Sequence, residues 1–319
     1  QLAEFDHDLR QRRAIHFRLK DLIKCMPADG HPMDALHASV AALGMFYPCP
    51  HVHDAARNWD ATCRLVAALP TVVAAFARVR RGEEILDPRS DLDHAGNFFY
   101  MLFGKEPSPA TRKVLDACLI LHAEHQMNAS TFTARVTGST LANPYQTIAS
   151  AIGSLSGPLH GGANEEALRQ FEEIGGAENV KAWLDAKRTA DPKFKVMGLG
   201  HRVYKVKDAR ATVLQEIAEH VFAETARPKA YETALELERV SAGIYGPKGI
   251  YPNVDFYSGV VYQSLGIPID VFTPIFAIAR VAGWLAHWTE QLVGNRIYRP
   301  EQISIGKTDV KYVPLEQRP

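Results

Sequence analysis

The chain has 319 residues, 46% of them hydrophobic and 23% charged, which is enough apolar mass for a packed core in one big domain or two unequal ones and excludes a disordered chain. Lys plus Arg and Asp plus Glu both number 36, so there is no overall basic field to hold nucleic-acid phosphates, and any anion binding must be local.

Gln1 is not an initiator methionine, and Leu2 to Arg10 already reads as a helix flank, so some preceding chain, with any targeting signal in it, is expected to be absent from the sequence. Apolar residues then recur at three and four positions, and long alternating runs are hard to find, so helix dominates. Leu65, Val66 and Leu69 form one stripe; Val72, Val73, Phe76 and Val79 form another after Pro70; Phe98, Met101 and Leu102 form a third. Cys25, Cys49, Cys63 and Cys118 share no metal-type or C-x-x-C spacing, which points to reduced thiols in a reducing, cytoplasmic compartment. His122 and His125 stand three apart on an expected helix, as metal ligands can, but the H-E-x-x-H pattern is missing and no metal is expected.

The segment Gly157-Pro-Leu-His-Gly-Gly-Ala-Asn164 carries His160 among glycines that would let backbone approach a ligand, although Gly-Pro and Gly-Gly also punctuate ordinary helices. Asn164 before Glu165 and Glu166 predicts a helix start, with Gly175-Gly176 as its stop. Met197-Gly-Leu-Gly-His-Arg-Val-Tyr-Lys205 presents His201 in the same manner. Gly198 and Gly200 lack the third glycine and the preceding strand of a dinucleotide fingerprint, and no phosphate-binding P-loop occurs.

Asp208 opens a further helix toward His220, and Asp255 follows Pro252-Asn253 at the start of another, where an Asp is commonly only a cap. The stretch from Val271 to Val293 is the most apolar of all, yet Pro274, Arg280, His287 and Glu290 make it a buried helix and a poor membrane span. Arg280 sits mid-helix in an apolar surround and requires a partner: a core carboxylate, or a carboxylate or phosphate of a ligand. Two imidazoles and one carboxylate, His160, His201 and Asp255, are enough to move a proton and polarise a carbonyl without a metal.

In this order and with these gaps the segments resemble the citrate synthase family. The likeness extends through His31 to Asp34 with Gly44 to Pro48, Asn97 to Gly104, Leu121 to Ser130, the three catalytic segments, and Arg280 through Arg299-Pro300. The resemblance implies an all-α homodimer, with assembly into hexamers or larger forms left open, whose large helical domain (residues 1–161 and 267–319) is closed over by a small one (162–266). It implies condensation of acetyl-CoA with oxaloacetate and hydrolysis to citrate and CoA, with no metal or redox cofactor and no nucleic-acid or membrane partner.

By the same resemblance Asp255 is the base, His160 the hydrogen-bond donor to the enol or enolate, and His201 the group that polarises oxaloacetate. His125, Arg210, Arg280 and Arg299 match oxaloacetate contacts, the last entering from the other subunit. Val196, Gly198, Gly200, Lys205, Lys248 and Asn253 match CoA contacts. Two alternatives stay open: a 2-methylcitrate synthase acting on propionyl-CoA, because one methylene gives only about 1–3 kcal/mol of discrimination, and a helical scaffold that has lost catalysis.

Overall fold

The computed structural model describes residues 2–223 and 226–318, and among them are fourteen α-helices and no strand. In chain order they are α1 Leu2–Arg12, α2 Phe17–Lys24, α3 Pro32–Phe46, α4 Ala55–Val79, α5 His94–Phe103, α6 Pro109–Ala123, α7 Ala129–Ser139 and α8 Pro144–Leu155. There follow α9 Ala163–Ile174, α10 Val180–Ala190, α11 Ala209–Phe222, α12 Lys229–Tyr245, α13 Val254–Ser264 and α14 Phe272–Leu292. The all-α reading of the sequence is therefore correct.

Short polar residues start half of these helices. Asp54, Asp93, Ser108, Asn128, Asn143, Asp208 and Asn253 each accept a hydrogen bond from a backbone N–H in the first turn, satisfying donors that a helix leaves open. Gly104 and Gly175 end α5 and α9 in the left-handed conformation.

Helix α14 is the axis of the core. It packs on α4, α6, α7 and α8, and Phe272 to Val281 are all buried along it. Both α4 and the stretch Ile269–Leu292 are long and apolar enough to cross a membrane, but most of each is buried inside the protein, as expected of core helices. Helices α9, α11, α12 and α13 pack on one another, and α11 also touches α6.

Three local expectations are corrected. The stripes on either side of Pro70 belong to one continuous helix, because burial of Leu65 and of Ala67 to Ala77 offsets the cost, about 3 kcal/mol, of an interior proline. Helix α9 starts at Ala163, with Gly162 as its cap. Asn164 lies inside it and its side-chain oxygen accepts from the Thr273 hydroxyl at 3.3 Å. Glu165 is buried, accepts from the same hydroxyl and faces His31 Nε2 at 3.3 Å, so it ties α9 to the first turn of α14 and the cap of α3. Finally, α6 ends at Ala123, so His122 is helical but His125 lies beyond the helix end. Among the described residues no three His, Cys, Asp or Glu side chains gather as metal ligands would.

Candidate active site

The turn between α8 and α9 is wound tightly around Gly157, whose carbonyl accepts from His160 N–H at 2.9 Å and Gly162 N–H at 3.2 Å. A side chain on Gly161 would meet Leu155 at 2.6 Å and one on Gly162 the Ser156 carbonyl at 2.9 Å. These two glycines therefore let the protein pack on itself, which corrects the expectation that they clear space for a ligand. The turn presents the His160 ring toward α7, where the Ser130 backbone N–H reaches its Nε2 at 3.3 Å and the Ser130 hydroxyl meets the same atom at 2.8 Å. A backbone N–H can only donate, so Nε2 is the acceptor and the proton of the neutral ring lies on Nδ1. Burial, aided by the charge of Arg280, lowers the His160 pKa to about 4, so the ring is neutral at pH 7.

His201 sits in a loop pinned to the segment before α13. Gly200 N–H donates to the Tyr251 carbonyl at 2.8 Å, Asn253 N–H to the Gly198 carbonyl at 2.9 Å, and the Asn253 amide to the Gly200 carbonyl at 2.9 Å. Gly198 has φ +76° and a Cβ there would lie 2.8 Å from Phe256 Cα, so both conformation and space demand glycine. His201 Nδ1 accepts from the N–H groups of Val203 at 3.1 Å and Tyr204 at 3.2 Å, which puts the ring proton on Nε2. Burial and then the nearby Arg210 lower its pKa, so this imidazole too is neutral.

Asp255 lies in the first turn of α13, its N–H held by the Asn253 side chain at 3.0 Å. It is therefore not the cap, a role that Asn253 fills. Its Oδ1 is buried without a hydrogen-bond partner, and burial raises its pKa to about 7 against the opposing pull of Arg210 and Arg280. A carboxylate this poorly solvated is a stronger base than an exposed one.

His160, His201 and Asp255 line one cavity of about 690 Å³ with His125, Arg210 and Arg280. Arg210 is gripped by Asp208 through bonds of 3.1 and 2.7 Å. Arg280 donates to the His122 carbonyl at 2.7 Å, and its guanidinium carbon stands 4.8 Å from the centroid of the Phe276 ring. No carboxylate among the described residues forms an ion pair with it. Burial and then Arg210 lower its pKa to about 10, leaving it charged at pH 7. The guanidinium groups of Arg210 and Arg280 on one cavity wall suit the carboxylates of a small dianion.

Val196, Gly198, Gly200 and Asn253 also line the cavity. Lys205 and Lys248 do not: both are exposed, with Lys205 packed near Gly249. Arg299 is exposed and absent from the cavity wall of its own chain. Sequence reasoning missed Lys195 and Arg202, which stand on the wall. It also missed Ser130 beneath His160 and Tyr204, whose hydroxyl lies 2.6 Å from His125 Nε2. Lys195 and Arg202 could have been found as basic residues flanking the glycine loop; nothing local marks Ser130 or Tyr204.

Residues 1–301 match the family model described as the C-terminal domain of citrate synthase. The chain is 55% identical to a citrate synthase of Synechocystis sp. over 318 residues, 100% of this chain and 80% of that protein. It is 51% identical to one of Acidithiobacillus ferridurans, covering 99% of this chain and 83% of that protein. Among solved structures, a citrate synthase from Pyrobaculum aerophilum superimposes with a TM-score of 0.89 at 40% identity, covering 99% of this chain and 81% of that one. A citrate synthase from Thermoplasma acidophilum, in ternary complex with carboxymethyl coenzyme A and oxaloacetate, superimposes with a TM-score of 0.93 at 31% identity, covering 99% of this chain and 84% of that one.

Proposed function

The chain belongs to the citrate synthase family, and from that membership we propose how its cavity carries out the reaction. The enzyme condenses the methyl carbon of acetyl-CoA with the ketone of oxaloacetate and hydrolyses the thioester, releasing citrate and CoA. The single observation that carries the residue assignment is the convergence of His160, His201 and Asp255, from three distant segments, on one cavity that also holds Arg210 and Arg280.

Methyl protons of a thioester are weakly acidic, so their removal needs a base and a donor to the carbonyl oxygen acting together. Asp255, with its desolvated oxygen, takes the proton. His160 donates its Nδ1–H to the developing enolate oxygen, a role supported by the Ser130 N–H that fixes the tautomer. The enol carbon then attacks oxaloacetate, whose ketone oxygen is polarised by the Nε2–H of His201. The new carbon–carbon bond forms as electrons move onto that oxygen, and water afterwards cleaves the thioester.

Arg280 and Arg210 grip the carboxylates of oxaloacetate, with His125 beside them, and hold the ketone in the geometry of attack. Arg299 serves the cavity of a partner subunit in a homodimer, a reading supported by its exposure and its absence from its own cavity wall. CoA lies along the backbone of 196–200 with Asn253, and Lys205 and Lys248 reach its phosphates from the rim. The segment 162–266 closes over the bound oxaloacetate and excludes water until condensation is complete. The free cysteines, three of them buried, support a cytoplasmic, reducing setting.

Thiol release from acetyl-CoA by the pure protein tests the reading. Release is expected only when oxaloacetate is present, and turnover with propionyl-CoA is expected to be lower; a folded protein that releases no thiol would instead be a scaffold.

A further inference from the structure

The rings of His125 and His201, which line the cavity, both meet a third aromatic ring, that of Tyr204. Tyr204 stacks on His201 with centroids 4.4 Å apart and planes at 20°. Its hydroxyl lies 2.6 Å from His125 Nε2, and its ring meets that of His125 edge-on at 5.3 Å and 77°. The two imidazoles are themselves edge to face at 5.0 Å and 87°. Tyr204 thus touches both rings, and its backbone N–H is one of the two donors on His201 Nδ1.

His125 lies beyond the end of α6, and no other side chain forms a hydrogen bond with its ring among the described residues. A ring on a loop with no other side-chain bond is free to rotate unless something holds it. A phenol can donate or accept, so it holds either tautomer of the imidazole.

We infer that Tyr204 is a positioning residue for oxaloacetate: its hydroxyl fixes the ring of His125 and its face fixes the ring of His201, so that both imidazoles converge on one keto acid. The inference rests on the reading of His125 and His201 as oxaloacetate ligands. The bond also joins residue 125 of the proposed large domain to residue 204 of the proposed small one, so it links the orientation of His125 to the closure of the cavity.

Steady-state thiol release with Tyr204→Phe, Tyr204→Leu, His125→Ala and the double variant His125→Ala with Tyr204→Phe tests this. Tyr204→Phe keeps the stacked ring and loses the hydroxyl. It is expected to raise the oxaloacetate KM about tenfold while kcat and the acetyl-CoA KM stay within about twofold, as loss of one ligand-orienting hydrogen bond implies. Tyr204→Leu, which also loses the stack on His201, is expected to lower kcat by about tenfold in addition. In the His125→Ala background the Phe change is expected to have no further effect on the oxaloacetate KM.

If His125→Ala weakens oxaloacetate but Tyr204→Phe leaves its KM within twofold of wild type, the inference is overturned while the site assignment stands. The same follows if the Phe change acts equally with and without His125. If His125→Ala itself leaves the oxaloacetate KM unmoved, the assignment of His125 falls and takes the inference with it.

Discussion

Ser130 meets one atom of His160 twice: its backbone N–H and its hydroxyl both lie within hydrogen-bond distance of Nε2, at 3.3 and 2.8 Å. The hydroxyl is itself held by the Trp284 indole N–H at 3.1 Å. The backbone N–H, which can only donate, keeps the proton of the neutral imidazole on Nδ1 even if the hydroxyl contact is lost. Ser130→Ala retains the backbone donor and is expected to lower kcat by only about tenfold, the weight of one orienting hydrogen bond. Kinetics of the purified variant check this, with circular dichroism to establish that it is folded.

The pH dependence of kcat/KM for acetyl-CoA follows from Asp255. Burial raises its pKa to about 7, so the folded enzyme holds this proton at acid pH and releases it as pH rises through that value. A base must be unprotonated to act, so activity is expected to fall about tenfold per pH unit below 7. His160, lowered to about 4, stays neutral across the same range and adds no limb. A stopped-assay pH profile from 5 to 9 checks the sign, and an acid limb near 4 would count against Asp255 as the titrating group.

Arg280→Lys keeps the charge and loses the planar fork. The lysine cannot reproduce both the bond to the His122 carbonyl and a two-point grip on a carboxylate, so the oxaloacetate KM is expected to rise with a loss of about 2–3 kcal/mol, roughly 30- to 150-fold. Titration calorimetry with oxaloacetate measures it directly.

Gly198→Ala is expected to destabilise the fold by about 2–4 kcal/mol, because alanine is strained at positive φ and its Cβ would press on Phe256. The loop carrying His201 would shift with it, so activity should fall along with the midpoint of urea unfolding. Gly266→Ala is a control: φ is also positive, but nothing lies within 4 Å of the added Cβ, and the cost should be only the backbone strain.

Much of this arrangement could be read from residues in a line. His160 and His201 stand among glycines and prolines that no packing face requires, and the caps at Asp208 and Asn253 follow from short-range hydrogen bonding. What could not be read depends on contacts between distant segments. Ser130 reaches His160 across 30 positions and Tyr204 reaches His125 across 79. Glu165 looked like a helix-dipole carboxylate, and only packing of α9 against α14 turns it into a buried acceptor for Thr273. Pro70 signals a break by local rules, which the surrounding burial overrides. Arg280 announced a need for a partner, but the His122 carbonyl and the Phe276 ring that meet it come from the fold.

The most direct test is Asp255→Asn, which removes the base while keeping size and polarity. Oxaloacetate binding by calorimetry and thiol release from acetyl-CoA should be measured on the same preparation. Binding is expected to stay within about threefold of wild type while kcat falls by about 10²–10⁴, the usual contribution of a positioned general base. Thiol release within a few-fold of wild type, with oxaloacetate still bound, would contradict proton abstraction by Asp255.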